Sequence, residues 1–159
     1  MLHDGVLWLG LDGKLISVNY QSEIEKKKQK EIIQSGRKNL HSSLKVFETP
    51  VLHWETEKYR IRIDRLRDSK YRYAVWPVSK SQRDKPDLIL NNGTKSFEGS
   101  GGNHSYHFTS GSYRYSCYVQ ILGLDYTPGW LIVYKNDEEI LTEKVINVIK
   151  EDQERQISP

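Results

Sequence analysis

Asn91-Asn92-Gly93-Thr94-Lys95-Ser96-Phe97-Glu98-Gly99-Ser100-Gly101-Gly102-Asn103-His104-Ser105-Tyr106-His107-Phe108-Thr109-Ser110-Gly111-Ser112-Tyr113-Arg114-Tyr115 is the stretch that decides the architecture. Asn-Gly supplies the positive φ angles of a tight hairpin turn. Asp87 to Leu90 is therefore expected to pair across Asn92-Gly93 with Lys95 to Glu98. After Gly111 the residues alternate aromatic and polar, as a half-buried strand does. Ser105 to Thr109 is expected to pair across Ser110-Gly111 with Ser112 to Leu122. The glycine-rich segment Gly99 to Asn103 lacks phosphate-loop spacing and leads into a strand, whereas a phosphate loop leads into a helix. It reads as a turn or bulge, or as a recognition loop held by two strands.

The same alternation extends outward in both directions. Tyr59, Ile61 and Ile63 alternate with Arg60, Arg62 and Asp64. Beyond the turn Arg67-Asp68-Ser69-Lys70, Tyr71, Tyr73 and Val75 alternate with Arg72, Ala74 and Trp76. Ser79 to Pro86 is a polar loop, and Pro128-Gly129 marks a turn. Trp130 to Tyr134 pairs across Asn136-Asp137 with Glu139 to Thr142. Val145, Val148 and Ile149 stand at helical spacing, with a strand as the alternative. Ser69-Lys70-Tyr71-Arg72-Tyr73 echoes Gly111-Ser112-Tyr113-Arg114-Tyr115, which is one hairpin chemistry used twice.

Near the N-terminus, Val6–Leu9 and Leu15–Tyr20 flank Asp12-Gly13, a hairpin signal. Ser22 with Glu25 forms a capping-box pattern that opens a helix over about 23–44. Ile24, Ile32, Ile33, Leu40 and Leu44 make a thin apolar stripe, so one edge packs on a sheet and the rest meets water. The expected fold is α+β: mostly antiparallel hairpins in a curved sheet or open barrel, with one long amphipathic helix. One domain is expected over 1–150, with a polar tail at 151–159.

The 159 residues suffice for one core. Hydrophobic residues are only 36%, but four Trp, ten Tyr and three Phe bury much area each. The single cysteine, Cys117, forms no internal bridge and lies in phase with Tyr113 and Tyr115, as a small buried hydrophobe does. The net charge is +3, and the segment Glu23–Lys45 carries seven basic against three acidic residues. The rest of the chain is close to neutral, which weakens a nucleic-acid reading. No apolar run approaches the roughly 20 residues of a membrane-spanning helix. A periplasmic or extracellular setting is favoured if an export signal has been lost, and a cytoplasmic one otherwise.

His104 and His107, three apart on a strand, face opposite ways, so no metal site and no cofactor is expected. Asp64, Asp68, Asp84 and Asp87 flank turns, where their backbone hydrogen bonds explain them. Ser100 and Ser105 lie near the histidines in sequence, but sequence proximity does not make a triad. No catalytic constellation emerges, and the expectation is a non-catalytic protein. Arg60, Arg62, Arg72 and Arg114, with Trp76 and Tyr118, share the polar phase of their strands. They form either a cationic, aromatic face for bases or sugar rings, or a solvated face of cross-strand ion pairs. The candidate binding residues are Ser100, Gly101, Asn103, Tyr106, Arg72, Trp76, Arg114 and Tyr118, serving an unidentified protein or glycan partner. Nucleic acid is the rival partner.

Lys85-Pro86-Asp87-Leu88-Ile89-Leu90-Asn91-Asn92-Gly93, with Phe97 to Asn103 and the Tyr-x-Phe hairpin after it, resembles uncharacterised β-rich domains in envelope proteins of gut anaerobic bacteria. The resemblance spans roughly Tyr59 to Leu141. It implies an envelope setting and no particular activity. Gly99 to Tyr106 is also similar to the loop that C-type lysozyme inhibitors push into the lysozyme cleft, which would carry over Ser100 and Tyr106. The spacing to Tyr106 is longer here, and that family's Trp-x-Lys-Gly segment and cysteine pair are missing.

Overall fold

A computed structural model describes residues 8–9, 15–17, 20–121 and 127–150. The chain forms two compact units, residues 1–38 and 39–159. In the first, β1 (Trp8–Leu9) pairs antiparallel with β2 (Leu15–Ser17), as the Asp-Gly signal implies, and the turn itself lies outside the described residues. Helix α1 spans Tyr20–Arg37, so it begins and ends earlier than expected. Ser22 sits within its first turn and does not cap it. Leu40 and Leu44 belong to the second unit and not to the helical stripe, Leu44 in a 3-10 turn over Ser42–Leu44. Lys26, Lys27, Lys28 and Lys30 are all exposed on α1, and so is Ile24. No helix among the described residues is long and apolar enough to cross a membrane.

The second unit is one nine-stranded antiparallel sheet. Its strands are β3 (Thr49–Glu55), β4 (Tyr59–Arg65), β5 (Tyr71–Pro77), β6 (Leu88–Glu98), β7 (Asn103–Ser110), β8 (Tyr113–Val119), β9 (Gly129–Lys135), β10 (Glu138–Lys144) and β11 (Asn147–Val148). β3 to β10 form a meander in chain order, and β11 returns to pair with β3. Turn chemistry sets most of the hairpins. Asn136 and Asp137 both take positive φ, as a two-residue turn between β9 and β10 requires. Ser69 and Gly111 do the same at their turns.

Asn92-Gly93 corrects the expected hairpin. β6 runs straight through it. Asn92 adopts φ 62°, and the register with β5 slips between Tyr71↔Gly93 and Tyr73↔Leu90. This is a bulge, and it marks where β6 stops pairing with β5 and begins pairing with β7 through Thr94–Glu98. The glycine serves packing. A Cβ at Gly93 would enter the ring of Phe108, which is itself 1% exposed. Bulges with glycine bend strands at barrel corners for this reason.

The sheet curls into a half-open barrel because its last strand bridges both edges. β10 and β11 stand at opposite ends of the strand order, yet only Val145 and Ile146 separate them. Val145 N–H donates to Gly129 O (3.0 Å), while Ile146 N–H donates to Glu55 O (2.8 Å) and Ile149 N–H to His53 O (2.8 Å). The tail at 143–150 is therefore strand and not helix. A Cβ at Gly129 would lie 2.6 Å from Trp54 Cη2, so the glycine allows Trp54 of β3 to approach β9. Gly129 thus opens β9, where the sequence suggested a turn.

Inside the barrel lie Trp54, Ile61, Ile63, Tyr73, Leu90, Tyr106, Phe108, Cys117, Leu131, Val133 and Val145. Tyr73 packs on Phe108 (ring centroids 5.3 Å apart) and on Tyr115 (5.7 Å). Burial pushes the Cys117 thiol far up, so it stays protonated in the core.

A second, smaller cluster lies on the outer face of β4 and β5. Arg62 Nε donates to both Asp64 oxygens at 3.0 Å, and Arg72 Nη2 reaches Asp64 Oδ2 at 2.9 Å. Arg62 Nη1 continues to Gln82 Oε1 (3.1 Å), and the guanidinium lies over the Phe47 ring. Arg72 donates to Leu44 O (2.8 Å) and Val46 O (2.9 Å). The segment 39–48 is thereby laced across these strands. Beside it, burial holds His53 well below the ordinary histidine value, with Arg62 and Arg60 adding to the effect, so the ring is neutral.

Two substitutions test this frame. Gly93→Ala overpacks the core against Phe108 and is expected to lower unfolding stability by about 1–3 kcal/mol, read by denaturant titration; Gly93→Ala with Phe108→Leu should recover part of the loss. Asp64→Ala leaves two buried guanidiniums without their carboxylate and is expected to cost about 3–5 kcal/mol in the same assay.

Candidate functional site

The outer face of β6–β10 has a different character from the covered face of β4 and β5. Cross-strand registers arrange it in rows. Ser96, Ser105, Tyr118, Trp130 and Lys144 are successive neighbours, as are Thr94, His107, Ser116 and Ile132. A third row holds Thr109, Arg114 and Tyr134. At the end of the sheet, Glu98, Asn103, Tyr118, Gln120 and Trp130 line a concavity of about 190 Å³. Tyr118 and Trp130 are direct cross-strand partners and both half-buried, so their rings form the wall of a shallow cup. Glu98 at its mouth is exposed. Lys144 stands over the Trp130 ring, its nitrogen 5.9 Å from the centroid.

A hydrogen-bond chain runs behind this cup. Ser105 Oγ lies 3.1 Å from Glu98 Oε1 and 2.8 Å from His107 Nε2, and His107 Nδ1 lies 2.8 Å from Ser116 Oγ. A carboxylate only accepts, so the Ser105 hydroxyl proton points at Glu98. Ser105 then accepts from His107 Nε2–H, and Nδ1 is left to accept from the Ser116 hydroxyl. Every group in the chain is used once in one direction. Ser105 and Ser116 are both 0% exposed, so neither oxygen is presented to a substrate. The chain's effect is to orient the Glu98 carboxylate.

The charges around this chain are balanced against one another. Burial lowers the His107 pKa below the ordinary 6.5, Arg114 lowers it further, and Glu98 opposes both. The Arg114 guanidinium stacks on Tyr134 at 4.3 Å from the ring centroid. Tyr134 is pushed up to about 12 by desolvation first and by its side-chain hydrogen bond with Tyr118 second. That bond ties the Arg114 row to the aromatic wall.

The structure divides the residues singled out in the sequence. Arg114, Tyr118 and Asn103 come together on this face. Asn103 Oδ1 accepts from Ile121 N–H at 2.7 Å, which fastens the β6–β7 turn to the end of β8. Ser100 and Gly101 are exposed in that turn, outside the cup. Arg72 is 6% exposed and Trp76 is 0%, with the Trp76 indole N–H donating to Asp84 O at 2.9 Å. Neither belongs to an open face, because the segment 39–48 and the loop after β5 cover them. Arg60 pairs with Glu55 at 2.9 Å. The arginine face expected from strand phase is thus divided among buried and paired positions. Tyr106 is 4% exposed and points inward, its ring edge-on to Tyr71 at 5.0 Å, so it does not project from a loop as the inhibitor likeness requires.

Sequence reading missed Glu98, His107, Ser116 and Trp130 as members of one site. The usable signal was phase: Ser105 and His107, two apart, share a face. Among the described residues no cluster of three or more His, Cys, Asp or Glu is placed to hold a metal ion. Comparison of the chain with protein-family models, with curated proteins and with solved structures finds no match.

The balance at His107 is checked by following its ring protons by NMR against pH. Arg114→Gln removes a cation and should raise the His107 pKa; Glu98→Gln removes the opposing anion and should lower it. Because the folded ring takes a proton less readily than the unfolded one, its contribution to stability is present above pH 6.5 and is lost as pH falls below that value.

Proposed function

We propose that the protein is a non-catalytic binding domain that takes a glycan on the outer face of β6–β10. The observation that carries this reading is the cup of Tyr118 and Trp130 with Glu98, Asn103 and Gln120 around it. An aromatic ring offers a flat apolar wall to the C–H face of a pyranose, while its polar edge stays wet. A carboxylate and two amides at the same rim match the vicinal hydroxyls of a sugar, and an ionised acceptor makes the stronger of those bonds. The hydrogen-bond chain through Ser105 and His107 supports the reading because it orients Glu98 before any ligand arrives, which lessens the ordering cost of binding. The cup is shallow, as suits one unit of a longer chain. An envelope setting, which the resemblance read from the sequence implies, makes cell-surface polysaccharide the first class to try.

The rival is a nucleic-acid-binding module. With Arg62 and Arg72 committed to Asp64, the basic residues left to it are those of α1 in the first unit and, separately, Arg114 and Lys144 in the second.

Isothermal titration with a panel of neutral and N-acetylated oligosaccharides separates the two. The glycan reading expects saturable heat with at least one member, weakened about tenfold or more by Trp130→Ala and by Glu98→Gln, with little change in unfolding midpoint. No saturable heat across the panel at millimolar sugar would sink it. Binding of single-stranded nucleic acid that falls steeply with salt and survives Trp130→Ala would put the rival in its place.

A further inference from the structure

The barrel interior is filled at its waist and hollow toward both ends. At the waist Ile61, Ile63, Tyr73, Phe108, Cys117 and Leu131 are each at most 1% exposed. Beyond them, toward the β3–β4, β7–β8 and β9–β10 turns, residues of β4, β5, β6, β8, β9 and β10 line an open-mouthed cavity of about 370 Å³, with Ile140 exposed at its edge. Four tyrosines and six aliphatic residues line it, with Tyr73 and Leu131 as its floor and Leu88 and Leu141 partly exposed at its side. It faces away from the glycan cup, which lies on the outer surface.

We propose that this cavity is a second, independent binding site, for a small neutral aromatic molecule with few polar groups. The size falls within the range of small-molecule sites. A closed barrel of about eight strands is wide enough either to be filled by side chains or to hold one small ligand; this nine-stranded half-barrel is of similar width, and its filling stops partway. Among the described residues no charged one lines the space. At the rim, the Lys135 nitrogen lies 5.5 Å from the Tyr113 ring centroid, and Glu138 is the cross-strand neighbour of Lys135, so this pair gives the mouth no net charge. A charged ligand would lose its hydration without a counter-ion, whereas a neutral aromatic one releases water from apolar walls. Tyr73, Tyr113 and Tyr115 set the ligand's shape: their rings stand as a connected series (Tyr73–Tyr115 at 5.7 Å, Tyr113–Tyr115 at 6.4 Å), and a planar ring can extend that series edge-on or offset. Tyrosine hydroxyls supply the few polar contacts such a ligand would use.

A second interior hollow of about 420 Å³ lies around Leu52, Trp54, Tyr106 and Val119. Its lining includes His53, His104 and Gln120, where the Tyr59–Leu141 cavity has only tyrosines and aliphatic residues among those described, so this hollow suits a neutral apolar ligand less.

The test is fluorescence titration of the full chain with N-phenyl-1-naphthylamine, a neutral aromatic probe that brightens in apolar surroundings. The expected result is saturable one-to-one binding, weakened about tenfold or more by Leu88→Trp and by Leu141→Trp, which fill the cavity from two different strands, and unchanged by Trp130→Ala. Methyl NMR of the unsubstituted protein gives the same answer without depending on a variant's folding: the probe should shift Val75, Leu88, Leu131, Val133 and Leu141. Absence of saturable binding, binding indifferent to both tryptophan variants, or shifts centred on Leu52 and Val119 would each overturn it. Because Trp130→Ala destroys the proposed glycan cup and spares this cavity, failure of one site is distinguishable from failure of the other.

Discussion

Asp64 holds two guanidiniums on the outside of the sheet, and much of the second unit is arranged around that fact. A carboxylate and two arginines withdrawn from water are tolerable only if almost every donor finds an acceptor. Asp64 itself accepts from Arg62 and Arg72, Gln82 takes a further bond from Arg62, and the carbonyls of Leu44 and Val46 take one each from Arg72. Those last partners lie on the segment 39–48, which must therefore run across β4 and β5. Leu40, Leu44 and Phe47 are buried as a consequence. With that side closed, the outer surface of β6–β10 is left as the broad open face of the sheet.

The interior is shaped by two close approaches that glycine permits. Gly93 admits the Phe108 ring where β6 changes partner, and Gly129 admits Trp54 where the last strand joins the two edges of the sheet. The first contact lies at the waist and the second at the end near β11. Both ends keep a hollow, one around Trp54 and Val119 and one lined by Tyr59, Leu88 and Leu141, so the glycines bend the sheet without filling its ends.

The chain from Ser116 through His107 and Ser105 to Glu98 contains the residue types of a hydrolytic site in another order. The acid touches a serine and not the histidine, and both serines are buried. Hydrogen-bond direction follows from the acceptor-only carboxylate at one end. Such a chain holds a carboxylate still at a surface, which suits recognition of hydroxyl groups beside the Tyr118–Trp130 wall.

Alternating residues and turn chemistry made most of the sheet legible in the sequence. Asn136-Asp137, Ser69 and Gly111 sit at hairpin ends as read, and the inward phase of Tyr59, Ile61, Ile63, Tyr73 and Tyr115 is the observed one. Asn92-Gly93 was misread because a bulge and a tight turn ask for the same positive-φ residue, and only the neighbouring strand distinguishes them. The arginines show a similar limit. Strand phase places Arg62, Arg72 and Arg114 on the outer surface correctly, but phase carries no information about what packs on that surface, so two of the three are buried and one is half-buried. The site residues Glu98, His107, Ser116 and Trp130 stand on four different strands, and their meeting depends on register. By itself, then, the sequence determined which residues pair locally, which way each strand faces and where most turns fall, because those follow from backbone sterics within a few residues. Tertiary structure alone decided which face is covered, where the barrel interior stays hollow and which side chains meet, because those depend on contacts between residues far apart in the chain.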